Sequence, residues 1–225
     1  KKKKKNRIIS FSTNKLLKTR SWSIFLEKEF LCEFKDGKEI IKFDLKKIET
    51  FNNIYDYENL FVAYSICRLM KLRPEKIIKS LEGFKGLKHR NQFLGKVNGI
   101  SFVNDTKATN FSSAMKSINS NKNIRLILGG ISKSENISEY LKDFKNVKSI
   151  YLIGSSSNEF SKSLKKFCFK VCHNLENATK TAFEDSTEGD TVLLAPACSS
   201  FDQFKSFEER GDMFIRIFDS IKKSI

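Results

Sequence analysis

The sequence is poor in the residues that would force an unusual architecture. Two prolines and ten glycines in 225 residues exclude a collagen-like or Pro-rich disordered chain. No run approaches the ~20 consecutive apolar residues of a membrane span. The five cysteines, Cys32, Cys67, Cys168, Cys172 and Cys198, are odd in number and form no CxxC pair, so neither a disulfide framework nor a zinc site is expected. With two histidines, His89 and His173, there is no HExxH and no paired His/Cys metal spacing. A GxSxG elbow and a GxxxxGKS/T loop are also missing, since Gly95-Lys96 lacks both the upstream glycine and the following Ser or Thr. The chain therefore has no P-loop of its own.

What is present describes a soluble globular protein of one large or two small domains: 40% hydrophobic and 30% charged residues, spread along the length. The net charge is +16, which points to an anionic partner. Only eight of the 42 basic residues are Arg, however, and the phenylalanines fall in apolar runs at core spacing. A nucleic-acid reader uses Arg forks and exposed aromatics, so small anions such as nucleotides and carboxylated metabolites are the better expectation, with no nucleic acid and no membrane as partner. The Lys1 to Lys5 run leads into a short alternating stretch rather than the apolar core of a signal peptide. A cytoplasmic protein is expected, and the absence of an initiator Met suggests a piece of a longer one.

Residues 7–50 read as short strands, at 7–13, 30–34 and 39–43, with Asp36-Gly37 as a turn signal. Apolar residues at helical spacing from Tyr57 to Leu72 predict a helix, and Pro74 opens a second one reaching about Leu81. Gly83 to Gly95 is a glycine-punctuated connector, with a domain boundary near Leu87. From Gly99 onward strands alternate with helices: strands at 99–104, 125–128, 149–153, 169–172 and 191–194, helices from about 110, 138, 157, 175 and 207. That alternation predicts a Rossmann-like parallel sheet, with ligands at the strand-to-helix turns.

Three such turns carry polar clusters. Asn104-Asp105-Thr106-Lys107-Ala108-Thr109-Asn110 joins a strand to a helix that Thr109 or Asn110 can cap, with Lys107 adding positive charge where free amides attract an anion. Read alone, it is equally a well-capped turn with solvated charges. Gly129-Gly130-Ile131-Ser132-Lys133 allows close backbone approach, and by itself reads as a geometric device. Residues 193–211 gather Ser199, Ser200, Asp202, Gln203, Lys205 and Arg210 among Phe201, Phe204 and Phe207, denser in polar groups than a plain connection requires. Cys198 has no neighbouring His and reads as packing rather than as a nucleophile. His89-Arg90 at the junction is a candidate for phosphate or ribose contact.

Taken in order, Gly86-Leu-Lys-His-Arg90, Val103 through Asn110, Ile127-Leu-Gly-Gly130 with Lys133, and Leu193 through Phe207 to Arg210-Gly211 resemble the Mur ligases, specifically the D-glutamate-adding branch. The resemblance implies an ATP-dependent ligase that joins D-glutamate to UDP-N-acetylmuramoyl-L-alanine through an acyl phosphate, in peptidoglycan precursor synthesis. It implies that residues 1–87 are the last part of the central ATP-binding domain and 88–225 the C-terminal Rossmann-like domain. The P-loop, the Mg²⁺ ligands and the UDP-binding domain are expected upstream of Lys1, so the fragment is expected to be inactive alone. By the same resemblance Lys107, Thr109, Lys133, Ser200, Phe201 and Phe207 belong to the D-glutamate site, and Asn59, Arg90 and Asp105 contact ATP. No metal ligand and no general base are assigned within the chain, and a monomer is expected. Four positions depart from the family pattern: Thr106 and Ala195 where Ser is usual, Gln92 where Glu is usual, and Asp56 where Asn is usual. The alternative functions are a non-catalytic nucleotide- or anion-binding module of the same fold, and a basic nucleic-acid binder.

Overall fold

The computed structural model describes residues 8–18, 20–48, 54–133 and 136–225, residues 54–56 by backbone alone. The Lys1 to Lys5 run and the Asp56 side chain lie outside the described residues. The chain divides into two compact units, Lys1–Gly86 and Leu87–Ile225. No helix among the described residues is long and apolar enough to cross a membrane.

In the first unit four strands, β1 (Ser10–Ser12), β2 (Trp22–Glu27), β3 (Phe30–Lys35) and β4 (Lys38–Asp44), form a sheet in sequence order. β1 runs parallel to β2 and the rest are antiparallel hairpins, the second turning at Asp36-Gly37 with both residues at positive φ. Helices α1 (Ile54–Leu69) and α2 (Pro74–Glu82) are joined to the sheet by one core containing Ile24, Leu31, Phe61, Tyr64 and Ile78. The fully buried Glu33 is satisfied by Trp22 Nε1 at 2.8 Å, Tyr64 Oη at 2.7 Å and Arg68 Nε at 2.9 Å. β2 is missing from the strands read off the sequence, because Ser23 interrupts a run too short to separate from a turn.

The second unit follows the expected alternation. β6 (Ile100–Asn104), β7 (Ile124–Gly129), β8 (Val147–Ile153), β9 (Phe169–His173) and β10 (Thr191–Leu194) are parallel, and β5 (Gln92–Val97) pairs antiparallel with β6 at the edge. The sheet is therefore mixed. The sequence pattern predicts a connector up to Gly95, because that glycine interrupts β5; Gly95 sits at φ +142° where the register shifts, with the Phe218 ring against it.

Helices cover both faces. Alternate residues Leu126, Leu128, Ile150, Leu152 and Leu193 join α3 (Phe111–Ser120) and α4 (Ser157–Ser163) in one core. Ile127, Tyr151, Ile153, Val192 and Leu194 join α5 (Leu175–Glu184) and α6 (Phe207–Lys223) in the other. Burial on both faces explains why these strands read as continuous apolar runs. The helix expected from about 138 is instead two 3-10 turns, Ile137–Glu139 and Leu141–Asp143; so few residues between Asn136 and Phe144 do not repay the nucleation of an α-helix.

The strand order β5-β6-β10-β7-β8-β9 positions the site. β10, last in sequence, lies between β6 and β7, so the turns after β6, β10 and β7 stand side by side at the carboxyl ends of the strands.

Candidate functional site

Each turn is built by local chemistry. Asn110 caps α3 by accepting from Ser113 N at 2.8 Å, leaving Thr109 uncommitted as a cap. Ser206 caps α6 by accepting from Glu209 N at 3.2 Å, while the Glu209 carboxylate accepts from Lys205 N at 2.6 Å, a variant of the reciprocal capping box. Gly129 and Gly130 are at φ +127° and +134°, and a Cβ would fall 2.0 Å from Ile153 O at the first and 2.2 Å from Ser199 O at the second. The glycine pair is thus a device for close approach.

The turns are tied to one another. Ile131 N donates to Ser199 O at 3.0 Å, Ser199 N returns a bond to Ile131 O at 3.1 Å, and Gly129 N donates to Pro196 O at 2.9 Å. The Thr106 hydroxyl donates to Phe207 O at 3.0 Å. Lys107 Nζ lies 3.9 Å from the centre of the Phe207 ring, a cation–π contact that joins two of the expected amino-acid-site residues. Lys107 and Lys133 are exposed, Thr109 and Phe207 half-buried, Ser200 buried and Phe201 exposed.

The buried member that the sequence reading left without a role is Arg210. Its side chain is 1% exposed. Nε donates to the Thr106 hydroxyl at 2.9 Å, and Nη2 to Thr106 O at 3.1 Å and Cys198 O at 3.0 Å, while Nη1 has no partner. Burial lowers its pKa to about 10. One signal was available: Arg210 falls on the apolar stripe of α6, in step with Phe207, Phe214, Ile217 and Ile221, where a charged residue is out of place. Burial likewise pushes the Cys198 thiol up to about 11, in keeping with a packing role.

His89 is buried rather than poised toward a ligand. Its Nδ1 accepts from Asn104 Nδ2 at 3.1 Å and its Nε2 lies 3.4 Å from Asp212 Oδ1. Asp105 is 6% exposed and accepts from Asn91 N at 3.1 Å and from the Ser117 hydroxyl. Burial raises its pKa, opposed by Ser117, the Asn91 amide and the Arg90 charge. Arg90 is exposed. Asn59 stands in the first unit, lining a cavity of about 390 Å³ with Phe11, Ser12, Thr13, Asn14, Glu58 and Val62. That space is an open depression rather than an enclosed cavity, and the Glu58 carboxylate stands among the amide and hydroxyl groups of its lining. Among the described residues no group of three or more His, Cys, Asp or Glu could hold a metal ion.

Residues 89–198, which carry the turns after β6 and β7 and the start of the turn after β10, match the family profile "Mur ligase, glutamate ligase domain". The second unit therefore carries a domain of the Mur ligase family. UDP-N-acetylmuramoylalanine–D-glutamate ligase of Cereibacter sphaeroides is 37% identical over 210 residues, covering 93% of this chain and 45% of that protein. The enzyme of the same name from the Wolbachia of Brugia malayi is 41% identical over 209 residues, covering 86% and 41%. The chain spans about half the length of the curated relatives it matches.

Solved structures share the fold at low identity. The UDP-N-acetylmuramate-alanine ligase of Thermotoga maritima has a TM-score of 0.64 at 14% identity, covering 94% of this chain and 48% of that one. E. coli FolC in complex with ADP has a TM-score of 0.62 at 16% identity, covering 91% and 48%.

Three of the four departures from the Mur ligase pattern, all but Asp56, have local explanations. Gln92 Oε1 accepts from His89 N at 2.9 Å, a role that needs an acceptor and no charge. Thr106 keeps the hydroxyl used by Phe207 and Arg210, and Ala195 is wholly buried in the apolar core.

Proposed function

We propose that this chain is part of an ATP-dependent ligase that adds D-glutamate to UDP-N-acetylmuramoyl-L-alanine in peptidoglycan precursor synthesis. In this reading residues 1–87 complete the central ATP-binding domain and residues 88–225 form the C-terminal domain that receives the amino acid. The observation that carries it is the alignment of the turns after β6, β10 and β7, which brings Lys107, Thr109, Lys133, Ser200, Phe201 and Phe207 onto one end of the sheet.

D-Glutamate carries two carboxylates, and two lysines with two hydroxyls form a donor set suited to them. The Phe207 ring under Lys107 Nζ limits where that ammonium can go, so the site orients its ligand as well as attracting it. ATP supplies the phosphoryl group that activates the muramoyl-alanine carboxylate, and what this chain contributes is placement of the amine that attacks it. Asn59 is assigned to the adenine by the Mur ligase resemblance, and the depression it lines in the first unit leaves room for a ligand beside it. Arg90 and Asp105 are assigned to the remainder of the nucleotide, with Asp105 also holding the backbone of Asn91 next to Arg90. Mg²⁺ is assigned to residues beyond this chain, and no step here is routed through it. The protein is read as a cytoplasmic monomer acting on small molecules, without nucleic-acid or membrane partners.

The test is phosphate release by the full-length protein with ATP, Mg²⁺ and UDP-N-acetylmuramoyl-L-alanine, comparing D-glutamate, L-glutamate and L-lysine. Release only with D-glutamate, abolished by Lys107→Ala, is the expected result. A folded full-length protein that releases none refutes the ligase and leaves the binding module of the same fold.

A further inference from the structure

Arg210 stands where a cation is least favoured. It is buried, it lies in the first turn of α6 where the helix dipole opposes positive charge, and among the described residues no carboxylate forms a salt bridge with it. Packing alone would be served better by Leu or Met at this point of the apolar stripe. What distinguishes the guanidinium is its set of neighbours. It bonds Thr106 in the turn after β6 and Cys198 in the turn after β10, and its unpaired Nη1 lies 3.3 Å from where a Cβ on Gly130 would sit, in the turn after β7. All three turns meet on this one side chain. Each contact is within three residues of a group assigned to the amino acid: Thr106 precedes Lys107 and Thr109, Cys198 precedes Ser200 and Phe201, Gly130 precedes Lys133, and Phe207 is one helical turn before Arg210 itself.

We infer that Arg210 is the positioning residue of the amino-acid site, a planar clasp whose fork sets the spacing of the turns after β6 and β10, with Nη1 beside the turn after β7, and so the affinity for the dicarboxylate. The inference rests on the ligase reading for its substrate, but the clasp itself does not. A point charge cannot replace it: an ammonium lacks the rigid fork that reaches the Thr106 hydroxyl, the Thr106 carbonyl and the Cys198 carbonyl together. The Thr106 hydroxyl extends the clasp, accepting from Arg210 Nε while donating to Phe207 O.

The experiment uses the full-length enzyme with Arg210→Lys, Arg210→Ala and Thr106→Val. Arg210→Lys is expected to raise KM for D-glutamate about ten- to a hundredfold while KM for ATP stays within about twofold. Thr106→Val, close in shape, is expected to shift the same constant in the same direction. Guanidinium ion at millimolar, non-denaturing concentration is expected to restore part of the activity of Arg210→Ala and none to Lys107→Ala. An unchanged D-glutamate KM in Arg210→Lys, or equal rises in both KM values, overturns the inference. So does a variant that only melts earlier.

Amide exchange on the same proteins separates this failure from that of the ligase reading. In Arg210→Lys, residues 105–110 and 195–200 are expected to exchange faster together while β8 is unchanged. If wild type releases no phosphate but the two turns loosen together, the ligase reading has failed and the clasp stands. If they do not loosen, the clasp falls whatever the activity.

Discussion

Gly211→Ala isolates the contact between α6 and the end of β6. In an ordinary helix interior the change stabilises by about 1 kcal/mol, since alanine loses less backbone entropy. Here a Cβ would lie 2.3 Å from His89 Nδ1 and 2.5 Å from Thr106 Cγ2. Neither neighbour is a free end. His89 is held by Asn104 at 3.1 Å, and Thr106 by Phe207 at 3.0 Å and Arg210 at 2.9 Å. Forcing a methyl into such a contact costs about 1–3 kcal/mol or more, and backing α6 away weakens the bond from Asn104 Nδ2 to Gly211 O, now 3.1 Å, by about 1 kcal/mol. The net expectation is a loss of about 1–3 kcal/mol, a Tm lower by roughly 3–10 °C for a chain of this size. Gly83→Ala is the control: its φ is −90° and no atom lies nearer than 4.0 Å, so it is expected to be neutral or slightly stabilising. Thermal melts followed by circular dichroism decide it. A Gly211→Ala variant that melts at or above wild type refutes the account of how α6 docks.

Other expectations follow from the same contacts. Burial, reinforced by Lys88 and opposed by Asp212, holds the His89 pKa below 6.5. The unfolded chain therefore takes up this proton first, and the associated stability is present above about pH 6.5 and lost as the pH falls toward the folded value. The fall in Tm between about pH 7.5 and 5.5 should be shallower in His89→Gln than in wild type; parallel slopes would contradict this. Asp190 is wholly buried between Arg125 at 3.0 Å and Lys148 at 2.5 Å, so Asp190→Asn should cost about 2–4 kcal/mol in urea melts, Lys148 being screened by solvent. Native protein treated with a thiol reagent near neutral pH should label quickly at exposed Cys168 and reach Cys198 only on unfolding; mass mapping of rapid modification at Cys198 would show that the turn after β10 opens.

The alternation of strands and helices beyond residue 99 was legible because a strand buried on both faces must be a continuous apolar run, and because Asn110, Asn174 and Ser206 cap the helices that follow. The motif-bearing turns were legible for the same reason, each lying where an apolar run stops. Three parts of the fold were not: β2, a short run interrupted by Ser23, β5, an edge strand broken by Gly95, and the 3-10 turns at 137–143, where a few periodic residues look like a helix. His89 was read as a candidate ligand contact because nothing in its neighbourhood says that it is buried against Asn104, fifteen residues on.

Local pattern determined which segments pair apolar faces with turns, and which turns carry Lys, Ser and Thr. Only the tertiary structure decided that β10, the last strand made, is inserted between β6 and β7, and hence that residues near 107, 131 and 200 are neighbours. Strand order is a contest among packings of similar local energy, settled here by contacts such as Thr191 with Ser101 and with Ile124, far apart in the sequence. Arg210 illustrates the division: its sequence position marks it as an anomaly on an apolar stripe, and only the fold gives that anomaly its bonds to Thr106 and Cys198.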